Sequence, residues 1–481
     1  MSSLKGNIIL NYINTLSGLI FPVVTFPYAA RVLQPERIGV VNFQNSIIGY
    51  IVLLTSLGIP LYAVRKIAKC RSDVELRNQT TVEITFLSII LCLIGYLIVF
   101  FIGLLVPRIQ EELSLFYILS STILFTAIGV PWFYQGIEDF LFITIRGLII
   151  RFICAISLFV FVKDRDDLLI YGLVVVGSTV GNNLINFVHL RKYIRLGNIK
   201  WKELNITRHI IPALRIFMLT VITSIYVQLN TIMLGFMIDD RAVGIFTAGN
   251  KLTHILVSVV TSLGAVMLPR CSHLIGEGKF NEFNIIIKKS FHFMMFIAFP
   301  LTVGIMLLAR PITLCFCGTD YSDAISVVIF TAPVIIFIGL TNIIGIQVLY
   351  PYGKENMVII STMVAAGLNI ILNLLFIPLF AETGAAISML LSELSVLLVQ
   401  IKLGKKYIPF SFFDTELLNF LYATIAMTLG ILFSYYIENM WIQMTIGTLL
   451  GAIIYFIFLY FKKDYIFTEV CTIISRKMRK S

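Results

Sequence analysis

The sequence predicts an all-α polytopic membrane protein with about 14 transmembrane helices, arranged as two pseudo-symmetric six-helix lobes plus two C-terminal helices. Hydrophobic residues make up 58% of the 481 residues and charged residues 13%, and the mean hydropathy is +0.94. That composition leaves too little polar surface for a soluble protein of this size. Long apolar runs recur along the chain, and short sequence segments recur between its two halves.

Apolar runs of about 20 residues or more mark the predicted spans, because a helix of that length crosses a bilayer. They cover residues 8–30, 38–62, 84–106, 114–134, 141–162, 168–190, 210–237, 242–268, 291–309, 323–350, 357–380, 383–401, 416–437 and 441–461. The first run is too long for a cleaved signal peptide and is interrupted by Asn11 and Asn14, so it is counted as a helix. Residues 270–290 predict an amphipathic helix on the cytoplasmic surface.

Three short matches in the same order indicate that the second half duplicates the first. The pairs are Ile38-Gly39 with Val243-Gly244 at a spacing of 205, the TSLG segments at 55–58 and 261–264, and RKYI at 191–194 with KKYI at 405–408. We therefore predict a first lobe and cytoplasmic linker at 1–209, a second lobe at 210–408, and the last two helices with a basic tail at 409–481. Two similar lobes with a site between them are typical of transporters.

The net charge of +11 is explained by topology rather than by a nucleic-acid partner. Most of the 37 lysines and arginines lie in alternate connections and in the C-terminal tail. Few lie in the other connections, namely Arg31, Arg37, Arg108, Lys163, Arg165, Arg241 and Arg310. Because cytoplasmic loops are enriched in basic residues, both termini are predicted to be cytoplasmic.

Lys251 lies near the middle of the predicted span 242–268. An ionisable side chain there costs about 2.5 kcal/mol or more unless it faces protein or water. Polar residues at helical steps of three and four form a stripe on one face of the predicted helix: Thr247, Lys251, His254, Ser258 and Thr261. Such a stripe is expected to face a cavity or another helix.

Three further basic residues fall within spans, Arg146, Arg151 and Arg215, against one acid, Glu393. A low-dielectric interior with this excess of positive charge attracts phosphate or carboxylate. The candidate substrate-binding residues are therefore Lys251, Arg151, Arg146, Arg215, Asn250 and His254. Arg146 either snorkels to the interface or faces the interior. Glu393 is a candidate counter-ion or a proton or sodium carrier.

Asparagines recur in two other spans, at 182, 183 and 186 and again at 369 and 373. Hydrogen bonding between helices is one interpretation, and lining of a sugar path is the other.

Two short motifs add a resemblance to a known family. The segment PYAARVL at 27–33 with Gly39, the segment WFYQGIED at 132–139, and the two-lobe pattern resemble the Wzx-type oligosaccharide flippases. These belong to the multidrug/oligosaccharidyl-lipid/polysaccharide exporter superfamily. The resemblance implies a bacterial cytoplasmic membrane, a polyprenyl-diphosphate-linked oligosaccharide as substrate for O-antigen, capsule or exopolysaccharide assembly, contact with membrane lipid, and a polysaccharide polymerase as possible partner.

Catalysis finds no support in the motifs. The sequence contains neither the GxxxxGK[ST] phosphate loop nor HExxH nor GxSxG, and its seven cysteines lack zinc-ligand spacing, so we expect no enzyme, no cofactor and no metal. Two alternatives stay open. One is a multidrug cation exporter of the same superfamily, and the other is a membrane-embedded polysaccharide polymerase or glycosyltransferase, which would usually need a large acidic external loop.

Overall fold

The computed structural model describes residues 4–194, 201–412 and 414–478, which are mostly helical and contain no strand. The helices are α1 Leu4–Ser56, α2 Ile59–Cys70, α3 Val74–Leu105, α4 Pro107–Gln110, α5 Leu113–Ile128, α6 Pro131–Gly136, α7 Phe140–Phe161, α8 Leu168–Leu190, α9 Ile210–Met237, α10 Asp240–Gly276, α11 Phe280–Leu307, α12 Ala309–Cys317, α13 Ala324–Thr331, α14 Val334–Asn342, α15 Glu355–Gly404, α16 Thr415–Phe433, α17 Met440–Phe461 and α18 Tyr465–Met478. A π-helical segment, Ile343–Leu349, follows α14.

Eleven helices within the described residues are long and apolar enough to cross a membrane. Their outward faces carry many exposed large apolar side chains, for example Leu105, Phe152, Leu379 and Leu429. Water does not tolerate such a surface over so many helices, whereas hydrocarbon does. The prediction of an all-α polytopic membrane protein is confirmed.

Two of these helices are each interrupted by one residue with non-helical backbone angles. In α1, Gln34 adopts φ 63° and ψ 170° directly before Pro35, and in α15, Ala381 adopts φ 45° and ψ −124°. The interruptions fall between the predicted spans 8–30 and 38–62 and between 357–380 and 383–401. Pro22 and Pro27, by contrast, leave the backbone of α1 helical.

Two expectations about local structure are wrong. The helix predicted to run to residue 62 ends at Ser56, and Gly58, with φ 69°, starts the separate helix α2. A Cβ at position 58 would lie 2.6 Å from the backbone nitrogen of Phe217, so glycine is needed for this close approach to α9. Residues 270–290 form no separate surface helix either, because α10 continues to Gly276 and α11 begins at Phe280.

The chain divides into two compact units, residues 1–244 and 245–481. In the first, α1 packs on α3, α5 and α7, and α8 packs on α5 and α7. In the second, α15 packs on α13 and α14, while α16 packs on α11 and α17 packs on α12 and α16. Each unit is described by itself below.

A reciprocal contact in the first unit relates repeated residues. A Cβ at Gly39 would lie 2.6 Å from the carbonyl carbon of Asp240, and a Cβ at Gly244 would lie 2.7 Å from that of Pro35. Both glycines and both of their partners are separated by the 205-residue spacing found in the sequence. Exchange of partners in this way is what a two-fold relation between duplicated segments requires.

The polar segment before α9 is held to α3 through Glu83, a fully buried residue of that helix. Its Oε1 accepts the backbone N–H of Asn205 at 2.9 Å, and its Oε2 accepts from Arg208 Nε at 2.9 Å and His209 Nε2 at 2.7 Å. His209 Nδ1 lies 2.6 Å from the hydroxyl of Tyr62 on α2. Because Nε2 donates to the carboxylate, Nδ1 of neutral His209 accepts from Tyr62. We call these five residues the linker cluster.

Candidate functional site

Arg151 projects from the middle of α7 towards the first half of α1. Its Nη1 donates to the side-chain oxygen of Asn14 at 3.0 Å, to the backbone carbonyl of Asn14 at 3.2 Å and to Ser17 Oγ at 2.5 Å. The Ser17 hydroxyl in turn donates to the Asn14 carbonyl at 2.8 Å. Arg151 therefore faces another helix of the first unit, which an ionisable side chain within a membrane span requires unless it faces water.

Arg146 lies on the same helix, but a different neighbour holds it. Its Nε donates to Asn182 Oδ1 on α8 at 3.0 Å, and its guanidinium lies over the ring of Phe142 at 5.4 Å. The side chain is buried, at 9% exposure, and its Nη1 has no hydrogen-bond partner among the described residues. Arg146 thus faces the protein interior, and the snorkelling alternative is not what the structure has.

The two guanidiniums interact electrostatically, although five residues separate them on α7. Neither forms an ion pair with any carboxylate in the part of the chain that the structure describes. Neutral amides, Asn14 and Asn182, hold them instead. A buried arginine is usually compensated by an acid, so the first unit carries two guanidinium charges that no described carboxylate neutralises.

Asn14 and Asn182 were visible in the sequence as polar residues of apolar spans, but Ser17 was not singled out. The signal for Ser17 was its position three residues after Asn14, which places both on one face of α1. Which basic residue that face would meet could not be read from spacing, because the contact joins residues 137 and 134 positions apart.

In the second unit, the predicted polar stripe lies on α10. Gly249 and Thr253 pack on α13: a Cβ at Gly249 would lie 2.7 Å from Val327 Cγ1, and Thr253 Oγ1 lies 2.8 Å from Thr331 Oγ1. Lys251 is two residues from each, about 200° around the helix. The stripe therefore points away from the face that packs on α13.

Polar groups on this stripe and next to it differ in whether they have a hydrogen-bond partner. Thr247 Oγ1 and Asn250 Oδ1 are buried and have no hydrogen-bond partner within the described part of the chain. Lys251 interacts electrostatically with Cys317 of α12. His254, one turn further on, is partly buried, as is Lys251. Asn250, Lys251 and His254 thus lie within about one turn of α10, and the side-chain oxygens of Asn250 and Thr247 are unsatisfied among the described residues.

The remaining candidates lie elsewhere. Arg215 is exposed near the start of α9. Glu393 is buried on α15, at 6% exposure, next to Ser392. There Asn369 Nδ2 donates to Ser392 Oγ at 3.1 Å, and Asn373 Nδ2 donates to Asn369 Oδ1 at 3.0 Å. The Asn369–Ser392 bond joins the two halves of α15, in agreement with hydrogen bonding between helices, whereas the Asn373–Asn369 bond lies within the first half.

The WFYQG part of the second motif is a packing element. Trp132, Phe133 and Tyr134 of α6 are all buried, and the Tyr134 hydroxyl donates to the carbonyl of Asn186 at 2.6 Å. Val130, with φ 41°, and Glu138, with φ 62°, bound the short helix. The motif therefore shapes the turn between α5 and α7.

Chemically, the candidate residues of α7 and α10 offer cations and amides rather than acids. No group of three or more metal-ligating side chains occurs among them. The arginines of α7 can bind an oxyanion through charge-assisted hydrogen bonds, and Lys251 can add a point charge.

Comparisons with known proteins identify similar families and relatives. The family model described as "Polysaccharide biosynthesis protein" matches residues 4–275, and the MatE family model matches residues 216–375. A protein of Escherichia coli (strain K12) named "Putative O-antigen transporter" is 26% identical over 394 residues, which cover 81% of this chain and 94% of that protein.

Solved structures show the same fold. A structure of the lipid II flippase MurJ in an inward closed conformation superposes with a TM-score of 0.69 at 17% identity, over 95% of this chain and all of that one. An inward-facing multidrug resistance transporter of the MATE family gives 0.62 at 14% identity, over 83% and 97% of the two chains. At these identities the likeness concerns the fold alone.

Proposed function

Because the chain belongs to the polysaccharide biosynthesis protein family, we propose that it is a flippase for polyprenyl-diphosphate-linked oligosaccharide repeat units. It moves them from the cytoplasmic to the outer leaflet of a bacterial cytoplasmic membrane. The resemblance to Wzx-type flippases is confirmed by the family match and by the O-antigen transporter relative. The observation that carries the proposal is the pair Arg146 and Arg151, buried or partly buried in a membrane helix without a described carboxylate partner.

The diphosphate is the part of such a substrate that hydrocarbon rejects most strongly. Guanidinium and ammonium groups in a site of low dielectric offset that cost where water is scarce. Arg151, Arg146 and Lys251 are the proposed head-group ligands, with Asn250 and His254 as hydrogen-bonding neighbours. Arg215, being exposed, is expected to attract the anion near the cytoplasmic end of α9 rather than to bind it in a buried site.

Transport by alternating access follows from the two-lobe plan. The polar head is proposed to occupy a cationic central cavity, while the polyprenyl tail stays in membrane lipid. The reciprocal contact of Gly39 and Gly244 supports the duplication on which this plan rests.

For the topology, we propose 14 spans with both termini in the cytoplasm. The eleven apolar helices, the interruptions at Gln34 and Ala381, and the apolar helix α9 support this number. The lobes then comprise residues 1–209 and 210–408, and α16 to α18 form the appended segment 409–481.

Coupling to a proton or sodium gradient is part of the proposal, with Glu393 as the candidate carrier or counter-ion. Its burial near the middle of a membrane helix supports that role. A polysaccharide polymerase is the proposed protein partner.

A multidrug cation exporter is the second candidate, since the fold also resembles a MATE transporter. An acidic cavity would suit organic cations, whereas uncompensated arginines repel them. The polymerase or glycosyltransferase alternative has no supporting observation.

The test is translocation of a labelled polyprenyl-diphosphate oligosaccharide in proteoliposomes that contain the purified protein, with and without an imposed proton or sodium gradient. Lys251→Ala is expected to abolish transport because it removes a head-group charge, whereas Lys251→Arg is expected to retain part of it. Lys279→Ala is the matched control, since that lysine is exposed in the turn before α11.

Normal transport by Lys251→Ala would contradict the head-group assignment of Lys251. Absence of any lipid movement, together with efflux of organic cations from the same vesicles, would favour the drug-exporter candidate instead.

A further inference from the structure

Arg151 makes all of its described hydrogen bonds through one of its three guanidinium nitrogens. Nη1 reaches both oxygens of Asn14 and the hydroxyl of Ser17. Nε and Nη2 make no hydrogen bond with a described residue. The Arg151 side chain is partly exposed.

Two glycines leave the space that this arrangement needs. A Cβ at Gly147, one turn before Arg151 on α7, would lie 3.0 Å from Asn14 Oδ1 and 3.5 Å from Arg151 Nη1. A Cβ at Gly18 on α1 would lie 3.7 Å from Nη2. The guanidinium therefore lies between α1 and α7, and a side chain at position 147 would displace Asn14.

The chemical nature of Asn14 and Ser17 matters as much as their position. An aspartate at position 14 would form a charge-assisted pair with Arg151 and would tie α1 to α7 more strongly than an amide does. It would also cancel the charge of the guanidinium. Asparagine and serine orient the group and leave its charge uncompensated.

We propose that Asn14 and Ser17 are positioning residues for Arg151, holding it by Nη1 so that the Nε–Nη2 edge can bind a phosphate oxyanion of the substrate. This inference rests on the proposed function, because it assumes a diphosphate head group. It assigns to the first helix a role in anion binding: the arginine is presented only while α1 and α7 keep this contact.

Asn14→Asp separates a positioning role from a purely structural one. The probe is farnesyl diphosphate, titrated into the purified full-length protein in detergent, with the melting temperature measured in parallel. We expect the affinity to fall about 10- to 100-fold, the equivalent of one lost charge-assisted phosphate contact, while the melting temperature is unchanged or higher. Asn439→Asp is the matched control, because Asn439 caps α17 and aspartate caps a helix equally well.

A second pair of variants applies if Asn14→Asp does not fold. Gly147→Ala is expected to displace Asn14 and to weaken binding of farnesyl diphosphate several-fold, whereas Gly304→Ala, with open space around its Cβ, is expected to leave binding unchanged.

The outcomes distinguish this inference from the proposed function. If Arg151→Ala loses binding while Asn14→Asp and Gly147→Ala bind like the wild type, the positioning role is wrong and the cationic site stands. If Arg151→Ala binds farnesyl diphosphate as tightly as the wild type, Arg151 is no head-group ligand. That result overturns both the positioning role of Asn14 and Ser17 and the assignment of Arg151 in the proposed function. Loss of affinity in Asn14→Asp with an unchanged melting temperature supports the inference.

Discussion

Removal of the Glu83 carboxylate is expected to release the segment that precedes α9. Glu83 is fully buried and accepts from the Asn205 amide, from His209 and from Arg208. Loss of one member of a buried, hydrogen-bonded charge cluster typically costs about 3–5 kcal/mol, because the remaining donors stay buried without partners. Glu83→Ala should reach that range.

Arg208→Ala should cost much less, which makes it the matched control. Its side chain is 39% exposed, so part of its interaction with Glu83 is screened by solvent. In this variant Glu83 also keeps its hydrogen bonds from the Asn205 amide and from His209. We expect about 1 kcal/mol or less. Both variants remove the ion pair, but only Glu83→Ala also leaves the Asn205 amide and His209 without their acceptor.

Hydrogen exchange of the backbone amides in residues 202–209 measures the effect, since the Asn205 amide exchanges when the cluster opens. A cost of about 3–5 kcal/mol corresponds to exchange faster by about 100-fold or more, against less than about tenfold for Arg208→Ala. Equal exchange in Glu83→Ala and wild type, or an equal effect of the two variants, would refute the idea that buried Glu83 fixes this segment.

Further predictions concern pH and helix packing. Burial holds the pKa of His209 below its usual value, despite the opposing effect of Glu83. The opened segment therefore binds a proton more readily than the closed one, so closure is weakened as the pH falls below about 6.5. Exchange at 202–209, corrected for its intrinsic pH dependence, should rise between pH 7 and 5 in the wild type and not in His209→Gln. Gly39→Ala and Gly244→Ala should each destabilise the protein by about 1–3 kcal/mol, because a Cβ would collide with backbone. Thermal unfolding in detergent checks this, and Gly367→Ala, with open space at its Cβ, should leave the midpoint unchanged; equal midpoints in all three would contradict the close contact.

The sequence was sufficient for the fold class because the bilayer imposes a local rule. Each span needs about 20 apolar residues, whatever its neighbours are. The predicted segment 210–237 coincides with α9, and the interruptions of α1 and α15 fall in the gaps between predicted spans. Short elements escaped this rule, and α2 is the clearest case, since the left-handed turn at Gly58 depends on the approach of α9.

For the candidate site, too, the sequence predicted one part and only the structure showed the other. Composition and spacing picked out the ionisable residues inside spans, since a charge in an apolar run is visible without a structure. That reasoning could not tell Arg146 and Arg151, which are held by amides of neighbouring helices, from Arg215, which is exposed. All three look alike in a sequence, because the difference depends on which side of the helix meets protein.

The sequence by itself determined the membrane fold and the identity of the basic residues, and it predicted the duplication. The tertiary structure alone decided their partners: Asn14 for Arg151, Asn182 for Arg146, and Glu83 for His209, which lies 126 residues away along the chain. Hydropathy is a property of each segment, whereas the pairing of buried polar groups depends on the rotation of whole helices about their axes, which packing sets.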